Sequence, residues 1–196
     1  MPDIRTENTS YIGKEFLPKG ANTASLRHNF FDAPAAASAT AILSAHALDG
    51  STVTTFAAQP DVARNAQIVA SGAATGNVVL NGTNIRGETI TETLALNGAT
   101  PVVGNKAFKS YTSIVLPTVA ATTINIGTDT KLGLDRTMDS NGVFLATVDG
   151  AADSALPTVA FSATAVESNT VILATAPNGT HAYYVTFITT EAYTQG

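Results

Sequence analysis

The chain has no cysteine and no tryptophan, only three histidines, and few charges: 13% of its 196 residues are Asp, Glu, Lys or Arg. Without cysteine there can be no disulfide, no zinc–thiolate site and no thiol nucleophile. The same absence fits a protein made in a reducing cytoplasm. Ten cations face fifteen carboxylates, for a formal charge of −5, and the Lys and Arg residues form no cluster. A phosphate backbone would be repelled, so nucleic acid is not expected as a partner. No window approaches the roughly 18 apolar residues of a spanning helix, so no membrane partner is expected either. The first ten residues, MPDIRTENTS, offer no apolar stretch for export. The expectation is a soluble chain.

What the sequence has in quantity is threonine (30) and alanine (33). Threonine is β-branched and suits a pleated, half-exposed surface. Small side chains with few charges give a smooth surface that loses little side-chain entropy on contact. Such a composition suits a protein packed against copies of itself or a lattice, and it also suits a plain β-domain.

Residues 1–34 show no sustained period. They mix polar residues with Tyr11, Ile12, Phe16, Leu17, Leu26, Phe30 and Phe31, broken by Gly13, Pro18 and Gly20. They read as an irregular leader, or as an arm whose aromatics dock on a neighbouring molecule, with Tyr11, Phe16, Leu17, Phe30 and Phe31 as anchors. From Asp32 onward short β-like runs follow one another. Asp32 to Gly50 is alanine-rich but lacks a helical stripe, and its Asp49-Gly50 pair signals a turn into STVTTFA. Then come runs at 65–71, 76–85, 88–96, 107–116, 122–127, 142–150, 158–166, 169–176 and 182–190, with turn signals about every ten residues. In 88–96, Ile90, Leu94 and Leu96 alternate with Thr89, Thr91, Thr93 and Ala95, as a half-buried antiparallel strand requires. Gly87 supplies the turn that joins this run to the previous one. Glu92 falls on its apolar side and is expected near a sheet edge or beside a cation. The fold class expected is all-β, an antiparallel sandwich or barrel-like domain with an irregular N-terminal arm. The divisions are 1–34 as the arm, 35–137 as the main domain, and 138–196 as further strands of that domain or a small second lobe. A repeated LPTVA, at 116–120 and 156–160, hints at such a lobe.

No arrangement of residues carries chemistry. Acyl transfer needs a nucleophile beside a base, yet no serine stands in Gly-x-Ser-x-Gly. His46 lies in an apolar strand, His181 follows a turn, and His28 reads as a contact residue of the leader. Asp129, Asp135, Asp139 and Asn141 approach a calcium-loop pattern, but Thr137 and Val148 occupy its first and last positions, which call for acidic ligands. Residues 98–106, GATPVVGNK, have the wrong spacing for a phosphate cradle and read as a loop. Glu88, Glu92, Glu167 and Glu191 include no evident acid–base pair. The sequons at Asn8, Asn81 and Asn178 need a secretory route, and Asn-Gly is itself a common turn dipeptide. The expectation is a protein with no enzymatic activity, no cofactor and no metal.

One stretch carries a resemblance. It contains Pro60, Asp61, Val62, Arg64 and Asn65; then Gly82 to Ile85, Gly87 and Ile90 to Thr93; then Ala107 to Lys109 and Ile114 to Pro117. This order of Pro-Asp-Val-x-Arg-Asn, Gly-Thr-Asn-Ile-x-Gly, Ile-Thr-Glu-Thr, Ala-Phe-Lys and Ile-x-Leu-Pro resembles small virion structural proteins of tailed bacteriophages. NTVILATAPNGTHAYYVTFI resembles a further piece, and the likeness covers about 35 to 185. Such proteins are similar to capsid decoration (cement) proteins and other head or tail accessory proteins. The resemblance implies a non-enzymatic β-domain on the outer capsid surface of a virion, made in the host cytoplasm. Its implied partners are the major capsid protein and copies of itself, as a homo-oligomer and by analogy a trimer. The alternative is a tail or fibre component that contacts the host. The motifs are turns and strands, so they specify a fold family better than a role.

Overall fold

The computed structural model describes residues 22–135, 143–155, 158–160 and 170–192. Among them there is no helix, and the chain is all-β, built from antiparallel strands as its composition and alternation predict. The strands are β1 (Asn22–Phe31), β2 (Ser38–Asp49), β3 (Thr52–Val53), β4 (Arg64–Ala70), β5 (Asn77–Thr83), β6 (Thr89–Ala95) and β7 (Val102–Phe108). There follow β8 (Ser110–Val115), β9 (Thr118–Gly133), β10 (Val143–Val148), β11 (Ala151–Ala152), β12 (Thr158–Ala160), β13 (Thr170–Ile172) and β14 (Tyr183–Ala192).

They form three sheets. The first runs β1-β14-β10-β11; the second runs β12-β13-β9-β4-β7, with β2 also paired to β9; the third runs β3-β8-β5-β6. The second and third sheets face each other over the larger core, which contains Ile42, Ile68, Leu80, Ile90, Leu94, Phe108, Ile114, Ile124 and Ile126. A smaller core lies under the first sheet, where Phe31, Tyr183, Val185 and Phe187 meet Leu132, Leu134, Val171 and Leu173. Strand β9 connects the two: Ile124 and Ile126 belong to one core, and Leu132, further along the same strand, to the other. At about 3.3 Å per residue its sixteen residues span roughly 50 Å.

The β5–β6 hairpin forms as the alternation demands. Its register runs from Asn77↔Ala95 to Thr83↔Thr89 without a break. Ile90 and Leu94 are buried while Thr89, Thr91 and Thr93 face out. The turn is held by Asn84, whose Oδ1 accepts the backbone N–H groups of Arg86 (2.9 Å) and Glu88 (3.0 Å), while Gly87 takes a φ of +81°. Asp49-Gly50 likewise turns the chain into β3, with Gly50 at φ +82°.

Four sequence expectations change. Residues 22–31 of the supposed irregular leader are a regular strand, β1, paired along its whole length with β14. Non-local pairing of this kind leaves no mark in a local period, because the partner lies some 160 residues away. The run 107–116 is two strands, β7 and β8, because Lys109 breaks off to donate its N–H to the Thr83 carbonyl at 2.7 Å. Most of the 98–106 loop is the first part of β7. Among the described residues from 143 on, β10 and β14 share a sheet with β1 and a core with the end of β9. Thr118 to Ala120 begins β9 and Thr158 to Ala160 forms β12, in different pairings, so the LPTVA echo is not a structural repeat.

Candidate functional site

The densest polar arrangement lies where the second and third sheets meet edge to edge. Strand β6 ends one sheet and β7 ends the other. No backbone ladder joins them. Instead Glu92, on the inward side of β6, reaches across: its Oε1 accepts the backbone N–H groups of Asn105 (2.7 Å) and Lys106 (3.2 Å) on β7. Gly104 makes room for it. A β-carbon at that position would overlap Glu92 Oε2 and lie 3.0 Å from the carboxyl carbon. Burial pushes the Glu92 carboxyl above the usual range, against the two N–H donors and the charges of Lys106 and Lys131, which act the other way. Its Oε2 is buried without a hydrogen bond, as is the hydroxyl of Tyr111. Burial, with Glu92 adding to it, drives that phenol well above its ordinary range. Both oxygens are closed off from solvent, and it is Glu92 Oε1, through its bonds to β7, that ties the two sheets together. The expectation for Glu92 holds: β6 is an edge strand, and two lysines lie within electrostatic reach.

Behind Gly104 a second polar group fills a break in the central sheet. The β4–β9 and β4–β7 registers both shift around Asn65. There the Asn65 amide replaces missing ladder bonds, donating to the Gly104 carbonyl (2.8 Å) and accepting the Lys131 N–H (3.0 Å). The Lys131 ammonium reaches the same carbonyl (3.1 Å) and Asn105 Oδ1 (2.6 Å). Next to it Arg64 is wholly buried. It donates from Nε to the Asp129 carbonyl (2.9 Å), and from Nη1 to the Ala35 carbonyl (2.9 Å) and Asp61 Oδ1 (3.1 Å). Asp61 also accepts the Ala35 N–H at 2.6 Å. Burial opposes ionisation of Asp61, but the N–H groups of Ala35 and Val62 and the Arg64 charge outweigh it and hold the carboxyl low. The Pro-Asp-Val-x-Arg-Asn stretch is thus a clamp joining the segment before β2 to β4, β7 and β9.

The sequence-predicted anchors fare unequally. Tyr11, Phe16 and Leu17 lie outside the described residues. Phe31 is 3% exposed and packs in the smaller core, so it serves the fold and is not free to anchor a partner. Phe30, its neighbour on the opposite face, is 59% exposed. It pairs across the ladder with Tyr184 (ring centroids 6.1 Å apart), itself 42% exposed, and Leu145 of β10 is also exposed. His28 bonds Thr186 Oγ1 at 2.9 Å and leans on Tyr184, so the outer face of this sheet carries an aromatic patch.

The remaining candidates are absorbed by local structure. His181 bonds Asp149 Oδ2 at 2.7 Å, and Asp149 Oδ1 accepts the Ala182 N–H, which fastens the β10–β11 turn to β14. His46 sits half-buried in β2 opposite Ile124. Asp139, Asn141, Asn8 and Glu167 lie outside the described residues. Among the described residues no group of three or more His, Asp or Glu side chains is placed to hold a metal. Asn178 caps its own turn through Thr180. Asn81-Gly82 is no turn at all: it lies inside β5, at a register shift against β8, where a side chain on Gly82 would overlap the Ser110 carbonyl. Comparison with known protein families, characterised proteins and solved structures finds no match to this chain.

Proposed function

We propose that this chain is a non-enzymatic structural protein of a phage virion that decorates the capsid. In this reading it bridges neighbouring major capsid protein subunits and associates with copies of itself. The observation that carries the proposal is the placement of the residues behind the resemblance. Asp61, Arg64, Asn65 and Glu92 are consumed in clamping strands and sheets, while the aromatic surface of Phe30 and Tyr184 is left on the outside. A rigid, smooth β-body with an apolar outer patch suits binding to a lattice. Its contribution would be mass action: a protein that binds only the assembled shell stabilises that shell.

The test is the copy number of the chain in purified virions, by quantitative mass spectrometry, together with binding of the purified chain to shells that lack it. Near-stoichiometry with the shell protein supports decoration. A handful of copies per particle points to a tail or fibre component, and none refutes the virion reading. A deletion testing the leader as a capsid-binding arm should stop at residue 21. Removing 22–31 as well would take out β1 and, with Phe31, part of the smaller core. Full capsid binding by the 1–21 deletion would sink the arm.

A further inference from the structure

An amine and an amide meet over the break in the central sheet. Lys131 of β9 places Nζ 2.6 Å from Asn105 Oδ1 on β7 and 3.1 Å from the Gly104 carbonyl. An ammonium only donates, so the atom it meets on Asn105 is the amide oxygen and not the nitrogen. One C=O bond, about 1.2 Å long, separates that oxygen from Cγ, so Nζ lies within about 3.8 Å of the carbonyl carbon. Reacting atoms in near-attack geometry stand about 3–3.5 Å apart. Both residues are also held at their backbones. Asn65 Oδ1 accepts the Lys131 N–H at 3.0 Å, and Glu92 Oε1 accepts the Asn105 N–H at 2.7 Å. Strands β7 and β9 do not pair with each other, since β4 lies between them. The contact therefore reaches over β4, where both of its ladders shift register around Asn65.

We propose that Lys131 and Asn105 join in an isopeptide bond, a covalent strut that forms once the chain has folded. Nζ attacks Cγ of Asn105, a new Nζ–Cγ bond forms, the Cγ–Nδ2 bond breaks, and ammonia leaves. The ammonium side chain gives up two protons and the departing nitrogen takes up two. The products are an amide and an ammonium ion, with nothing oxidised or reduced. Asn105 is exposed, so the leaving nitrogen has a way out. Holding amine and carbonyl in one folded frame replaces a bimolecular encounter with an intramolecular one. Glu92 is the carboxyl at hand to relay the protons. It converges with Lys131 on Gly104: Nζ bonds the Gly104 carbonyl, while the carboxylate fills the space that a β-carbon there would take. Its Oε2 has no hydrogen bond to give up, and burial raises the carboxyl toward values at which it accepts and returns a proton more readily. The bond links edge strand β7 to β9 beside the Glu92 tie. It is a property of this chain alone and does not depend on the virion reading.

The test is the intact mass of the purified full chain, since loss of one ammonia lowers it by about 17 Da. Most wild-type molecules should be lighter than their sequence by that amount. Lys131→Met and Asn105→Ala should each show the full sequence mass. Trypsin does not cut at an acylated lysine, so a digest of the wild type should release a branched peptide joining residues of β7 and β9. Glu92→Gln keeps an oxygen for the Asn105 N–H but cannot relay protons. Its fraction of light chains at a fixed time after synthesis should fall several-fold. Wild type at its full sequence mass overturns the bond. So does an ammonia loss that persists in Lys131→Met, which would place the loss at another asparagine, as in cyclisation at an Asn-Gly pair. A light fraction unchanged in Glu92→Gln overturns the relay alone.

Discussion

Replacing Gly104 with alanine tests whether Glu92 closes the sandwich. In an ordinary strand, Gly→Ala stabilises by roughly 0.5–1 kcal/mol, since alanine has less backbone freedom to lose. Here the new methyl would take space held by the Glu92 carboxylate. The carboxylate ends a flexible side chain and can move, but only by giving up its bonds to the N–H groups of Asn105 and Lys106. Hydrogen bonds to charged groups contribute about 1.5–3 kcal/mol each, and partial exposure puts these at the low end. Losing both costs about 3 kcal/mol, against a gain below 1, so Gly104→Ala should destabilise by about 2 kcal/mol in urea or thermal unfolding. The decisive measurement is a double-mutant cycle. In a Glu92→Ala background the obstruction is gone, and Gly104→Ala should become neutral or stabilising, giving a coupling of roughly 2–3 kcal/mol. The same penalty in both backgrounds would refute the tie and assign the glycine to backbone conformation.

Three other outcomes follow from the polar framework. Arg64→Ala should cost about 3–5 kcal/mol in chemical unfolding, because it leaves the Ala35 and Asp129 carbonyls without their buried donor; Arg64→Lys, with no forked donor, should recover only part of this. Asn65→Ala should cost about 1–3 kcal/mol and raise amide exchange at Lys131, whose N–H loses its acceptor. The carboxyls of Asp61 and Asp153 are held low, so their contributions are present above the ordinary carboxylate range and lost as pH falls through their folded values. Glu92 has the opposite sign: its raised value makes the fold more stable below the ordinary glutamate range, and that increment disappears as pH rises through its folded value. Comparing wild type with Glu92→Gln across that window in urea should show the variant with the flatter profile; identical slopes would remove Glu92 as the source.

The class of fold was legible because it depends on local pattern. Ile90, Leu94 and Leu96 against Thr89, Thr91 and Thr93 set the faces of β6 before any partner strand is known, and Gly87 and Gly50 turn the chain where they were read to turn it. What was not legible depends on distant residues. Asn22 to Phe31 looks irregular because its strand character comes from β14 and the burial of Phe31 from Leu132, Leu134 and Val171, all more than 100 residues away. The length of β9 was hidden in the same way, since threonine-rich stretches such as Thr118 to Thr123 carry no sharp apolar alternation of their own.

Glycine shows why the polar site in particular escaped the sequence. Gly82, Gly104 and Gly127 are among the glycines that serve as space, not as turns. Gly82 admits the Ser110 carbonyl, Gly127 admits the backbone of Ser38, and Gly104 admits a carboxylate from the facing sheet. None of the three has the positive φ that marks Gly50, Gly87 and Gly150. The sequence shows one letter for both uses: Gly82 falls inside a run expected as β, and Gly104 inside a segment expected as a loop. What separates them is the neighbourhood: the β-branched Val102 and Val103 precede Gly104, and a lone acid sits on the apolar side of another strand at Glu92. The two anomalies belong together. A carboxylate placed inward needs donors and a space, and a glycine inside a strand provides both by exposing the backbone beside it. Pairing an inward acid on one edge strand with an interior glycine on another is therefore a physical criterion for finding such ties from sequence, and the Gly104–Glu92 cycle measures whether it holds here.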